Sequence, residues 1–322
     1  MNIKIGNTPL IKIKYKYNGK VNYIYTKLEF YNLTGSIKDR VAYYIIKNAY
    51  ERGGLKKGMP LIEATSGNTG IALAALGTYF GNPVHIFMPD WVSVERTDLM
   101  KMYNARVTLI SKEEGGFKRA ISEAKKFAEN NNGFLCNQFE NEDNVLAHYE
   151  RTGKEILESL NGNVDVFVSG IGTGGTLIGV AKRFKEANEN VKIYALEPDK
   201  MPLLSKGKII ENHKIEGIGD DFVPKIVDRS LIDKIILVND EDAINMARKI
   251  ALNLGIGVGI SSGANLIASI LAKEETEGNV VTVFPDDNKK YLTTDLSKPI
   301  DTNEDFISNK VEILDYEFMI IM

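Results

Sequence analysis

Short apolar runs alternate with segments of helical periodicity along most of the chain. Pro60–Ala64 reads as a strand that leads into a helix over Asn68–Phe80. Val84–Met88 is the next strand, a helix follows near Val94–Tyr103, and Arg106–Ile110 is a strand again. Val164–Ser169 precedes a helix over Leu177–Ala187, and Lys192–Leu196 and Val280–Phe284 are two further strands. Strand–helix alternation of this kind predicts parallel strands with helices on both faces, an α/β fold. With no Pro/Gly/Ser-rich linker and no internal repeat, the lobes are expected to interweave. The last stretch, Pro299–Met322, mixes acids with an apolar end (Phe318-Met319-Ile320-Ile321-Met322). It reads as an edge strand or as a tail packed on the body or on a sister subunit.

Length changes this picture by implying more than one core: 322 residues, 43% hydrophobic and 26% charged, make two lobes the expectation. The formal net charge is -3 and no basic run is interleaved with aromatics, which argues against nucleic acid as a partner. Apolar stretches such as Ile71–Leu76 are far too short to span a membrane, and Met1–Leu10 lacks a signal-peptide core, so a cytoplasmic location is expected. The single cysteine, Cys136, excludes an intramolecular disulfide framework. His85, His148 and His213 have no metal-ligand spacing, so no metal is predicted.

Candidate chemistry sits in three segments. Gly170-Ile171-Gly172-Thr173-Gly174-Gly175-Thr176 lies between a strand and a helix. Its glycines let backbone N–H groups approach a ligand, and the helix start adds positive potential, which suits a phosphate. The same run satisfies G-x-G-x-x-G, and Glu197 ends the following strand, so a nicotinamide oxidoreductase stays open at this point. Thr65-Ser66-Gly67-Asn68-Thr69-Gly70 repeats the arrangement and suits a carboxylate, although Ser66 and Asn68 could equally serve as helix caps. In the third segment, Asn32–Arg40, Lys38 stands just inside a predicted helix start. The unfavourable dipole there would depress its pKa and suit Schiff-base chemistry, for which a nicotinamide enzyme has no use.

Together these segments resemble the cysteine synthase and cystathionine β-synthase family of pyridoxal 5′-phosphate (PLP) enzymes. The resemblance runs from Gly6-Asn7-Thr8-Pro9-Leu10 to about Ser297. Further landmarks are Met88-Pro89-Asp90, Ser93-Val94-Glu95-Arg96, Asn137-Gln138-Phe139, His148-Tyr149, Glu216-Gly217-Ile218-Gly219, Gly259–Gly263 and Pro285-Asp286. It implies PLP fold type II, tryptophan synthase β-like: two interwoven lobes, each a mainly parallel twisted sheet flanked by helices, in a homodimer. By that likeness residues 41–150 are the smaller lobe, 1–40 plus 151–300 the larger PLP-binding lobe, and 301–322 a C-terminal tail. The resemblance also implies that Lys38 carries the cofactor and removes the α-proton, and that Gly172, Thr173, Gly174, Gly175 and Thr176 hold its phosphate. Asn68 would meet the ring hydroxyl and Ser261 the pyridine nitrogen. Thr65, Ser66, Gly67, Thr69, Gln138 and Gly217 would bind a small amino-acid substrate. A neutral hydroxyl at Ser261 makes the ring a weaker electron sink, favouring loss of a β-leaving group through an aminoacrylate.

The chain departs from sulfide-using cysteine synthases after Gly219, where Asp220-Asp221 replaces two small residues; the run Glu216–Pro224 looks closer to cystathionine β-synthases. Hydrosulfide needs no base and would be repelled by a carboxylate, whereas water needs its proton removed. The acid pair therefore points to L-cysteine plus water giving L-serine plus hydrogen sulfide. Asp220 is the expected base, because Phe222 beside Asp221 suggests a turn towards the body. Cysteine synthase or cystathionine β-synthase chemistry is the alternative, and two solvated loop acids would be the plain reading. The family motif starts so near the N-terminus that no haem-binding extension is expected. Lys154 and Asp287-Asn288-Lys289 also depart from the family pattern, and the sequence offers no account of either.

Overall fold

Alternating Ile, Lys and Tyr over Leu10–Tyr17 (β1) and Lys20–Leu28 (β2) makes a hairpin that the periodicity reading above did not single out. Its turn is Asn18-Gly19, both at positive φ (49° and 78°), the conformation a two-residue hairpin loop demands. The computed structural model describes residues 3–299 and 303–319. After the hairpin come α1 (Lys38–Glu51), β3 (Leu61–Ala64), α2 (Asn68–Phe80), β4 (Val84–Pro89), α3 (Val94–Met102), β5 (Arg106–Ile110), α4 (Gly116–Asn130) and β6 (Phe134–Leu135). The second half holds α5 (Glu142–Ala147), a π-helical turn His148–Gly153, α6 (Lys154–Ser159), β7 (Val166–Gly170), α7 (Gly175–Ala187), β8 (Lys192–Pro198) and α8 (Leu203–Lys206). It closes with β9 (Lys234–Val238), α9 (Asp240–Leu254), α10 (Ile260–Lys273), β10 (Val280–Phe284) and β11 (Glu312–Phe318).

The strands form two sheets, ordered β11-β1-β2-β10-β7-β8-β9 and β5-β4-β3-β6. All pairings of the four-stranded sheet are parallel, as are those from β2 through β10 to β9; among the described strands only β11–β1 and β1–β2 are antiparallel. The fold is thus the predicted α/β type with mainly parallel sheets. Period-two alternation feeds each sheet's two faces. Val166 and Val168 of β7 join a core under α9 and α10, whereas Phe167 between them packs on Phe184 of α7. In the smaller sheet Leu61 meets α1 and α2, and Ile62 meets Ala120, Ala124 and Ala128 of α4. Strands covered on both faces read as continuous apolar runs, which is why β3, β4 and β10 were visible in the sequence.

The C-terminal stretch resolves into the edge strand β11 against β1; Ile320, Ile321 and Met322 lie outside the described residues. Among the described residues no helix is long and apolar enough to cross a membrane, and no group of His, Cys, Asp and Glu is placed to hold a metal ion.

Candidate active site

In open parallel sheets ligands gather beyond the carboxyl ends of the strands, and three such ends meet here. β3 runs into Thr65-Ser66-Gly67 and then α2. Neither Ser66 nor Asn68 caps this helix. Asn68 Nδ2 donates instead to Asp286 Oδ2 (2.7 Å), and its Oδ1 is buried without a partner. Thr69 Oγ1 donates to Gln138 Oε1 (2.6 Å), and Gln138 Nε2 to the Ala64 carbonyl (3.0 Å), so β3 and the 136–138 segment are tied together. Gly67 stands beside the cavity, where a Cβ would be driven into the Arg96 guanidinium. It is glycine because Arg96 needs that space.

β7 ends in the glycine turn that opens α7. Gly172 lies against the Gly217 carbonyl so closely that any side chain would displace it. Thr173 Oγ1 accepts from Asn144 Nδ2 (2.9 Å), and Thr176 Oγ1 is 3.2 Å from Nε2 of the buried His148, whose pKa burial pushes well below the usual histidine value. Gly175 is packed under Asn144. The nicotinamide alternative loses its acid: the Glu197 carboxylate accepts the backbone N–H groups of Leu204 and Ser205 at the start of α8.

Lys38 is the first residue of α1. Its pKa is lowered chiefly by burial, against the opposing pull of Asp220 and Asp286. Burial, and not the helix dipole invoked above, leads the shift. Ser261, 4% exposed in the first turn of α10, lines the same cavity as Lys38, Thr65, Ser66, Asn68, Thr69, Gln138, Gly172, Thr173, Gly174, Thr176, Gly217 and Asp220. The two acids after Gly219 part company. Asp220 shares the cavity with Lys38, and its carboxyl is pushed up to about 6 by burial and by Asp221, with Lys38 pulling the other way. Asp221 Oδ2 lies 3.1 Å from Lys118 Nζ, its Oδ1 is enclosed without a partner, and it borders only the wider vestibule next door.

Two groups of site residues escaped the sequence reading. Arg96, 1% exposed, donates to the Ser66 carbonyl (3.2 Å), pairs with Glu216 (2.9 Å) and lies over the Tyr291 ring (5.1 Å). The Tyr291 hydroxyl donates to Asp286 Oδ2 (2.7 Å), the atom that also receives Asn68. Ser93–Arg96 and Pro285-Asp286 were visible as landmarks, but nothing local says that an arginine turns inward. Of the unexplained departures, Asp287 caps the turn Asn288–Lys290 through the Lys289 N–H, and Lys154 sits on the surface, 3.7 Å from Glu158.

These groups fit an aldehyde-bearing, phosphorylated pyridine. An amine of lowered pKa, a glycine turn at a helix start, a hydroxyl at Ser261 and the unsatisfied Asn68 Oδ1 surround one cavity. Comparison with known proteins agrees. A family model described as "Pyridoxal-phosphate dependent enzyme" matches residues 1–286. "Cysteine synthase B" of Campylobacter jejuni is 43% identical over 294 residues, spanning 91% of this chain and 96% of the relative. "Cysteine synthase" of Staphylococcus aureus is 41% identical over 295 residues, 91% of this chain and 94% of its own. A crystal structure of a hydrogen sulfide-producing enzyme from Fusobacterium nucleatum superposes with a TM-score of 0.92 at 48% identity, covering 97% of this chain and 96% of the other. An aspartate-to-asparagine variant of that enzyme, complexed with an α-aminoacrylate intermediate, gives 0.93 at 48% identity, with the same coverage.

Proposed function

We propose a reaction from one premise: the chain belongs to the family of pyridoxal-phosphate dependent enzymes. It is an enzyme of the cysteine synthase kind. The specific reaction we assign is L-cysteine plus water to L-serine plus hydrogen sulfide, an elimination at the β-carbon followed by addition of water there. PLP, when bound, supplies an aldehyde that takes up amines and a ring that withdraws electrons from the α-carbon of an amino acid.

Lys38 would hold the aldehyde, the Gly172–Thr176 turn the phosphate, Asn68 the ring hydroxyl and Ser261 the pyridine nitrogen. Thr65, Ser66, Gly67, Thr69 and Gln138 grip the substrate carboxylate, with Gly217 closing the opposite wall. The Lys38 amine takes the α-proton and returns it after the exchange. Sulfur leaves the β-carbon as hydrosulfide, and water forms the new C–O bond as Asp220 takes one of its protons. Base catalysis of this kind contributes about 10²–10⁴-fold.

The observation that carries the assignment is the placement of Asp220 in the Lys38 cavity, with its carboxyl at about 6 and therefore ionised at neutral pH. A carboxylate there activates water and repels hydrosulfide. The hydrogen sulfide-producing relative supports the same direction. The names of the Campylobacter and Staphylococcus relatives favour a second reading, O-acetylserine plus sulfide to L-cysteine plus acetate. Product analysis separates the two: L-cysteine alone should yield equimolar L-serine and sulfide. Efficient cysteine formation from O-acetylserine with negligible serine from cysteine reverses the choice. In Asp220→Asn, sulfide release from cysteine should fall by about a hundredfold or more; undiminished turnover ends the base assignment. The assembly we propose is a homodimer, as in the family resemblance.

A further inference from the structure

Asp220 belongs to a long irregular segment: residues 207–228 form neither helix nor strand. Segments of that length without secondary structure are uncommon in compact proteins and need anchoring to hold a side chain in register. Towards the seven-stranded sheet the anchors are polar and regular. The Gly219 N–H donates to the Ile171 carbonyl (2.9 Å) and the Lys214 N–H donates to Asp240 (2.9 Å), while within the segment His213 Nε2 meets the Gly219 carbonyl (2.8 Å).

Towards the four-stranded sheet the attachment is of a different kind. Phe222 lies edge-on to Phe139 (centroids 4.9 Å, 70°) and stacked on Phe117 of α4 (6.4 Å, 26°), and Phe117 and Phe139 meet edge-on (5.7 Å). Ion pairs flank this contact, Asp221–Lys118 (3.1 Å) and Lys225–Glu140 (2.7 Å). Their lysines are 65% and 76% exposed, so solvent screens each pair. Aromatic contacts of this geometry stabilise beyond their buried area, and the ring burial adds more. The aromatic contact therefore decides the position of the segment on this side.

We propose that Phe222 is the positioning residue that holds Asp220 at the cavity beside Lys38, and that Asp221, paired with the exposed Lys118, does not touch substrate. The reading rests on the base assignment to Asp220 and deepens it: of the two adjacent acids only Asp220 has a chemical duty. Phe117-Lys118 grips Asp221-Phe222 residue against residue, which leaves Asp220 on the inner side of the grip. Loosening the rings lets water reach Asp220. The charged and titratable groups around Asp220 are Lys38 on α1, Asp221 on its own segment, Arg96 and Glu216 elsewhere in the cavity, and His213 against Gly219. None of these residues is itself replaced in the Phe222 or Phe117 variants.

The test is the pH profile of kcat for L-serine formation from L-cysteine by the PLP-loaded enzyme, since water adds only after hydrosulfide has left. The acid limb should lie near pH 6, where Asp220 gains its proton. In Phe222→Ala the limb should move to lower pH and kcat should fall about tenfold, while Phe222→Tyr, which keeps the ring, retains the wild-type profile. Phe117→Leu thins the same packing from the other side and should shift the limb in the same direction; it carries the test alone if Phe222→Ala is not recovered as holoenzyme. Asp221→Asn should cost less kcat than Asp220→Asn. An unmoved limb with near-wild-type kcat in the recovered ring variants, or an Asp221→Asn loss equal to that of Asp220→Asn, overturns the proposal. Failure of the underlying base assignment looks different: the limb near pH 6 survives in Asp220→Asn, and both readings then go.

Discussion

Glu63, on β3, is 2% exposed and accepts backbone N–H groups from Ala64 (2.8 Å) and Gln138 (3.0 Å). Burial outweighs those two donors and pushes its carboxyl up to about 8, from an ordinary 4.5. The folded protein therefore holds a proton between those values that the unfolded chain does not. The associated stability is complete below pH 4.5 and is lost as pH rises towards 8, at about 1.4 kcal/mol per pH unit at the steepest. Urea denaturation of wild type should show a midpoint that falls from pH 5 to pH 8, and Glu63→Gln, which cannot titrate, should flatten that slope. A slope unchanged in the variant would place the titrating group elsewhere. At the same scale, the sequence put Asp220 and Asp221 side by side with only Phe222 to rank them. That ranking rested on a side chain turning towards the body, and the Phe117–Phe139–Phe222 contact is what turns it.

The elements that carry the site depend on one buried charge network. Arg40, in the first turn of α1 two residues after Lys38, donates through Nε to Glu29 (2.6 Å) and through both Nη atoms to Glu155 (2.7 Å each). Lys27 lies 3.0 Å from the same Glu155 and donates to the Thr8 carbonyl (2.6 Å). Two buried cations face two buried anions, with the half-exposed Arg151 3.6 Å from Glu155 as a third cation; burial raises the Glu155 carboxyl, but Arg40 above all holds it at about 2. Removing one partner leaves an uncompensated buried charge, which typically costs about 3–5 kcal/mol. Glu155→Gln should lower unfolding stability by about that amount in denaturant titrations, whereas Lys12→Gln, which breaks the surface pair with Glu317, should change it by less than about 1 kcal/mol. Equal effects would mean that the buried network adds nothing beyond a surface pair. Element boundaries were far more legible than this network. Asn68–Phe80, Arg106–Ile110 and Val280–Phe284 appear as predicted, because side-chain periodicity is a local property. The β1–β2 hairpin carries a readable signal as well, alternating residues about Asn18-Gly19, although neither strand is a long apolar run.

Across the whole molecule Asp286 is one of the residues that link the two sheets. It ends the β10 connection of the larger sheet, yet its carboxylate receives Asn68 from the start of α2 and the hydroxyl of Tyr291. A carboxylate only accepts, so it fixes which end of the Asn68 amide turns towards it and leaves Oδ1 free on the other side. Asp286→Ala strands two buried donors, at about 1–3 kcal/mol each. The expected result is a lower denaturation midpoint together with PLP affinity weakened about tenfold by equilibrium dialysis; wild-type affinity would show that Asn68 keeps its place unaided.

By itself the sequence determined the strand–turn–helix order, the two glycine-rich turns, the lysine at a helix start and the family these belong to. The first three follow from sterics and periodicity within a few neighbouring residues, and the family follows from the resemblance carried by motifs spread along the chain. The tertiary structure alone decided which acid shares the Lys38 cavity, that burial leads the lysine's pKa shift, that Arg96 turns inward and that Asp286 holds Asn68. Those outcomes depend on desolvation and charge coupling between residues as far apart as 68 and 286, and no local pattern encodes a contact of that range.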